Sequence, residues 1–288
     1  MDILEKISKG KIRGYLTVNK RIIFEGATYH ITQRAPGKEY VFLEDNDYLY
    51  FLKILKSTSQ KFHLQIFSFV LLPNHLHLLL QITQKNLSVA MKNLFERYAD
   101  YFNKKYQRKG HVFCGRFRAS LCNDETYFLA ISVYIHLNPY RAGLCEDFRD
   151  YRWTSLHLYI DRAPATFITF EKILSLLDKD PQKARQQYIE MLTNSMKLKG
   201  SSLLDSSSIQ AVLREGARIV KEMVRVGNNE DLDKLIDQFK GKERMVKVKD
   251  KKAREYVIEQ LLANGYSPKE IREILGFSKA TFHRIVAK

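Results

Sequence analysis

The sequence predicts an α+β fold: a ferredoxin-like split β-α-β antiparallel sheet with covering helices, followed by an all-α C-terminal region containing a helix-turn-helix. Three observations carry this. Strand-like and helix-like segments alternate through the first half of the chain, strand signals fade beyond Trp153, and a punctuated pattern of three short helices begins at Asp250.

Ala27 to Arg34 (ATYHITQR) alternates as a strand does, and Asp45 to Phe62 carries Tyr48, Leu49, Leu52 and Leu55 at helical spacing. Leu64 to Leu72 is apolar and aromatic-rich, Pro73 and Asn74 make a turn, and His75 to Ile82 returns as a second strand. Leu87 to Tyr106 has helical periodicity, and Arg116 to Cys122 reads as a short strand. Asp124 can cap a helix running to about Leu137, where Pro139 draws Asn138 out of helical geometry. The resulting sheet is expected to be antiparallel, with helices over one face. Phe170 to Met196 and Ile209 to Val226 look like amphipathic helices on either side of the polar stretch GSSLLDSSS. A boundary between about residues 160 and 205 divides the chain into a main domain (1–160), a helical linker region (161–249) and a C-terminal module (250–288). Within the linker, the basic stretch KGKERMVKVKDKKAR reads as a solvated segment or helix face.

The 288 residues are 45% apolar, enough for a real core, and 48 Lys and Arg against 32 Asp and Glu give a net charge of +16. That excess, without a membrane-length apolar run, points to a polyanion and away from a membrane-spanning role. RNA-binding and membrane-surface proteins share such a charge, so the chemistry must come from motifs. Cys114, Cys122 and Cys145 have no CxxC spacing, which argues against a disulfide framework and a thiolate zinc site. The start, MDILEKISKGKIRGYL, is charged throughout and lacks an apolar signal core, so a cytoplasmic, nucleoid-associated protein is expected.

On the strand after the turn, His75 and His77 are two residues apart and share one face, while Leu76 and Leu78 point to the other. Two imidazoles on one rigid face suit a metal, although two histidines beside a turn are also common as ordinary surface residues. The segment FVLLPNHLHLLL resembles the His-apolar-His (HUH) motif of the single-tyrosine transposases and their relatives among relaxases and replication initiators. GATYHITQR, ERYADYFNKKYQRKGHVFCGRFRASL and YFLAISVYIHLNPYRAG extend the likeness over most of residues 20 to 155, and the REP-associated tyrosine transposases are the branch most resembled.

That resemblance implies that His75 and His77 bind Mg²⁺ or Mn²⁺, that Tyr134 in YIHLNP is the nucleophile, and that Asn138 one turn later is the third ligand. It implies nicking of single-stranded, hairpin-bearing DNA through a 5′-phosphotyrosine intermediate with a free 3′-hydroxyl, followed by strand transfer, in a monomer or a homodimer. The residue pattern alone leaves Tyr134 open to a role as a core aromatic and Asn138 as a turn residue before proline. Tyr98, Tyr101, Tyr106 and Tyr127 also lie on predicted helices near basic residues. His136 is expected to face away from Tyr134 as a packing or DNA-contact residue, and His30, His63 and His111 have no spacing that recruits them. Cations interleaved with aromatics suit a single strand, so Arg97, Lys104, Lys105, Arg116 and Arg118 are candidate DNA contacts.

In the C-terminal module, Ser267, Pro268 and Glu270 form a capping-box start, Gly276 stops that helix and Ser278 caps the next. The spacing resembles a helix-turn-helix of the resolvase or sigma-factor-like kind, whose last helix would place Lys279, Thr281, His283 and Arg284 against duplex DNA. The leading reading is thus a metal-dependent single-strand DNA nuclease and transposase. The alternatives are a catalytically silent DNA-binding regulator on the same fold and a metal-dependent RNA nuclease.

Overall fold

The computed structural model describes residues 15–16, 23–37, 39–122, 124–161, 166–196 and 268–286, with single positions at 212, 213, 216, 217, 220, 240, 254, 257, 258 and 261. These fall into two compact units, residues 17–224 and a smaller one made of 1–16 together with 225–288. The two-residue strand β1 (Tyr15–Leu16) belongs to the smaller unit.

The larger unit is built on four strands: β2 (Thr28–Arg34), β3 (Leu64–Leu72), β4 (His75–Ile82) and β5 (Arg118–Cys122). Their order is β5-β2-β4-β3, antiparallel throughout, which is the split β-α-β arrangement that the pattern predicted. Helix α1 (Asp45–Phe62) joins β2 to β3, α2 (Leu87–Lys105) joins β4 to β5, and α3 (Glu125–Arg141) follows β5. Each boundary has a local cause. Asp47 accepts the N–H groups of Leu43 and Glu44 at the start of α1, and His63 closes that helix with φ at 51°. At α3, the Asp124 carboxylate accepts the Tyr127 N–H at 3.2 Å.

Two expectations change here. The sheet is covered on both faces: Leu76, Leu78 and Leu80 are buried on one side of β4 and His75, His77 and Leu79 on the other. Helix α3 also runs through Pro139 to Arg141, because a proline forfeits one intrahelical bond while the next turn still closes, with Ala142 N–H donating to the Asn138 carbonyl at 2.9 Å.

The larger unit does not end near residue 160. A bridge between Val70 and Thr154 and another between Ile66 and Ile168 lay the following segment along the outer edge of β3, which shields that edge from further pairing. The expected long helix over Phe170 to Met196 is instead α5 (Glu171–Leu174) and α6 (Pro181–Ser195), preceded by the short α4 (Leu156–Ile160). The split comes at Asp180, whose carboxylate caps α6 ahead of Pro181. Most of Ile209 to Val226, the GSSLLDSSS stretch and most of the basic KGKERMVKVKDKKAR stretch lie outside the described residues.

In the smaller unit, α7 (Pro268–Leu275) and α8 (Lys279–Val286) are separated by three residues, with Gly276 at φ 67° ending α7. Ile271, Leu275, Phe277, Phe282 and Ile285 share a core with Val257, Ile258 and Leu261. Among the described residues, no helix is long and apolar enough to cross a membrane.

Candidate active site

Strand register assembles the site. Thr32 pairs with His77 and Arg34 with His75 across β2 and β4, so these four side chains share one face. His30 is two residues from Thr32 and joins them there. Helix α3 lies over this face and brings Tyr134 into edge contact with His30 and His77, at ring-centroid distances of 5.9 and 5.6 Å. The predicted nucleophile and the predicted histidines are therefore neighbours.

The polar atoms of the cluster divide into two sets. His75 Nδ1 donates to the Asn74 side-chain oxygen Oδ1 at 2.6 Å, His77 Nδ1 lies 2.9 Å from His30 Nε2, and Asn138 Nδ2 donates to the Tyr134 backbone carbonyl at 3.0 Å. The remaining atom of each predicted ligand, His75 Nε2, His77 Nε2 and Asn138 Oδ1, is buried without a hydrogen-bond partner. An amide oxygen, and an imidazole Nε2 whose ring proton sits on Nδ1, carry lone pairs, so the donor set fits a divalent cation. No cluster of three His, Cys, Asp or Glu suited to a metal occurs among the described residues; this trio is two imidazoles and an amide.

Burial keeps the histidines neutral, as a metal ligand must be. It pushes His75 down to about 4, helped by the Arg34 charge, and holds His77 well below its ordinary value, with His30 and His75 adding to the effect. Burial pushes the Tyr134 phenol up to about 12, while the Asn138 side chain and the Arg141 guanidinium act in the opposite direction. Arg141 stands two turns beyond Tyr134, with its guanidinium carbon 5.7 Å from the tyrosine ring centroid.

His136 faces the other way and packs, one of the two roles expected of it. Its Nδ1 meets the Tyr188 hydroxyl at 2.7 Å and its Nε2 the Ser155 hydroxyl at 2.8 Å. Three rival tyrosines are also engaged elsewhere. Tyr98 donates to the Val41 carbonyl, and the Tyr101 and Tyr106 hydroxyls both reach Asp47. Tyr127 is buried near the start of α3.

The predicted DNA contacts separate. Arg118 is exposed and pairs with Thr32 across β2 and β5, so it stands in one cross-strand row with His77 and on the same face. Arg116 is exposed beside Gly115, whose carbonyl accepts from Gln33. Arg97 and Lys104 line an open surface cavity of about 640 Å³ together with the stacked pair Tyr50 and Tyr101. Lys105 lines it too, but its ammonium is bound to Asp47 at 2.6 Å and Glu44 at 2.5 Å, so it serves the fold rather than a phosphate.

In the smaller unit, Lys279 and Arg284 are exposed on α8. Thr281 is buried, with its N–H and hydroxyl on the Ser278 hydroxyl, so this cap removes it from the expected DNA face. The His283 side chain, Ser267 and the Glu270 side chain lie outside the described residues.

Sequence reasoning missed His30, Arg34 and Arg141. The first two lie in the quoted ATYHITQR strand, but only its pairing with β4 places them beside His77 and His75. Arg141 was hidden because the helix was expected to stop before it.

Residues 24–138 match the sequence model of the family described as "Transposase IS200 like". The matched span holds His30, His75, His77, Tyr134 and Asn138. A Haemophilus influenzae protein described as a REP-associated tyrosine transposase is 26% identical over 151 residues, which cover 48% of this chain and 84% of that relative. The solved structure of a REP-associated tyrosine transposase bound to a REP hairpin aligns at 16% identity with a TM-score of 0.45, covering 53% of this chain and 90% of the other.

Proposed function

We propose, from the premise that this chain belongs through residues 24–138 to the IS200-like transposase family, that it nicks and rejoins single-stranded DNA at hairpin-bearing sites with Tyr134 as nucleophile. His75, His77 and Asn138 would hold the divalent cation, Mg²⁺ or Mn²⁺. The observation that carries this reading is the set of three buried, unpartnered atoms, one on each of those residues. Leaving a polar atom buried and unpaired costs about 1–3 kcal/mol, a cost that a bound cation removes at all three positions.

Tyr134 Oη attacks phosphorus, its bond to phosphorus forms as the bond to the 3′ oxygen breaks, and the phenolic proton leaves while the departing oxygen takes one up. The phosphodiester energy stays in the phosphotyrosine, so a 3′-hydroxyl can reverse the step without ATP. Asn138 and Arg141 ease loss of the proton from a phenol that burial otherwise keeps protonated. Arg34 and Arg118, exposed on the histidine face, attract the strand's phosphates. When bound, the cation would act as a Lewis acid on the scissile phosphate, a contribution of several kcal/mol. Lys279 and Arg284 on α8 would hold duplex DNA.

Incubation with labelled hairpin oligonucleotides and Mg²⁺ or Mn²⁺ tests the reading. A denaturant-resistant protein–DNA adduct is expected that requires metal and disappears in Tyr134→Phe; an adduct that survives the substitution assigns the nucleophile elsewhere. One observation favours a second reading, a DNA-binding regulator that does not cleave: Tyr134 is only 2% exposed, so a strand reaches it only when the covering side chains move. Hairpin binding without an adduct under any metal condition would select that reading.

A further inference from the structure

We infer that His30 is a positioning residue that selects the metal-binding tautomer of His77 by accepting a hydrogen bond from its Nδ1. This rests on the metal site proposed above. The two rings are stacked with centroids 5.1 Å apart, and His30 Nε2 lies 2.9 Å from His77 Nδ1. One proton occupies that contact, and its owner decides the chemistry of His77. If His30 donates, His77 carries its own proton on Nε2, an N–H that would be buried without an acceptor. If His77 donates, its Nε2 presents a lone pair to a cation.

The neighbouring ligand shows the same arrangement with the direction settled by chemistry. His75 Nδ1 faces the Asn74 side-chain oxygen Oδ1, which can only accept, so the His75 proton sits on Nδ1 and its Nε2 carries the lone pair. Both histidines thus engage Nδ1 in a hydrogen bond and leave Nε2 buried without a partner. Histidine ligands generally donate their second ring N–H in this way, and loss of the acceptor typically costs 10–100-fold in metal affinity. Sheet register builds the pair: His30 lies opposite Leu79 and diagonal to His77, within reach of an imidazole on the same face.

The test uses the full chain in two measurements. Long-range ¹H–¹⁵N spectra of the metal-free protein, with the His77 signals identified by their loss in His77→Ala, are expected to show a proton on His77 Nδ1. A proton on His77 Nε2 overturns the inference whether or not metal binds. Titration with Mn²⁺ alone is expected to give about 10–100-fold weaker binding in His30→Leu. His30→Gln, whose amide oxygen can occupy the position of Nε2, is expected to recover most of that loss. Equal affinity in wild type and folded His30→Leu, or a folded His30→Gln no better than His30→Leu, also overturns the inference. Should wild type bind no Mn²⁺ that His77→Ala abolishes, the metal site itself falls, and this inference with it, even if the Nδ1 tautomer is found.

Discussion

Helix α3 has two buried polar faces with different fates. On one, His136 has both ring nitrogens paired, Nδ1 with Tyr188 and Nε2 with Ser155, and the Tyr188 hydroxyl also meets Ser132. On the other, Tyr134 stands against His77, and His75 Nε2, His77 Nε2 and Asn138 Oδ1 are buried without a partner. Burial is nearly equal on the two faces, so burial does not distinguish structure from chemistry. Completion of hydrogen bonding does. A satisfied network fixes α6 against α3, whereas the incomplete one is stable only to the extent that the fold tolerates it, and it has capacity left for a ligand.

The largest expected difference is in cleavage. Tyr134→Phe should lower adduct formation by on the order of 10⁴-fold or more, because an essential nucleophile is removed. Tyr188→Phe should leave the adduct intact but destabilise the protein by about 1–3 kcal/mol, since it strips a buried partner from His136 and Ser132. Adduct assays and urea unfolding on both variants check this. A folded Tyr188→Phe protein without adduct would break the distinction between the faces.

Metal should act on one face only. Mn²⁺ at a hundred times its Kd should stabilise the wild-type protein by about 2.7 kcal/mol, and this gain should vanish in His77→Ala while persisting in Tyr188→Phe. Thermal unfolding with and without Mn²⁺ measures it. An equal gain in His77→Ala would move the cation elsewhere.

Asp47 extends the comparison to a buried carboxylate that is fully used. Burial pushes its pKa up, but hydrogen bonds from Lys105, the Leu43 N–H, Tyr106 and the Glu44 N–H outweigh this and hold it below the ordinary 3.8. A depressed folded pKa means that the unfolded chain takes up the proton first as pH falls. The contribution to stability is therefore complete above the unfolded value and is lost as pH drops from about 4 through the folded pKa. Asp47→Asn should cost about 1–3 kcal/mol at neutral pH and flatten that acid limb, as followed by urea unfolding between pH 3 and pH 6. An unchanged acid limb in the variant would assign it to other carboxylates.

How much of this the sequence disclosed depended on the distance over which each cause acts. The hairpin, its His-apolar-His spacing, α1 and the Asp124 cap are set by residues within a few positions, and they stand where pattern and turn chemistry placed them. The continuation of α3 through Pro139 was missed because the local rule against proline competes with tertiary packing, which here keeps the last turn closed. His30 was invisible for a different reason: its partner is 47 residues away, and only the β2–β4 register joins them. The split of the Phe170 to Met196 region was readable at Asp180 and Pro181, a cap followed by proline at the first helical position, but apolar periodicity ran across it.

The smallest expected effect concerns the approach of DNA to the incomplete face. Arg118 lies in the row Arg118–Thr32–His77, two strands from the histidine, a separation of about 10 Å at ordinary strand spacing. A phosphate flanking the scissile one is a natural partner at that reach. Arg118→Ala should weaken binding of a single-stranded oligonucleotide severalfold, and the slope of log affinity against log salt should fall by about 0.7, the value for one phosphate contact on a single strand. Measuring anisotropy between 50 and 200 mM salt, a range where such contacts dominate, gives the slope. An unchanged slope would place the strand's path away from β5 and leave Arg34, opposite His75, as the cation that guides it to the site.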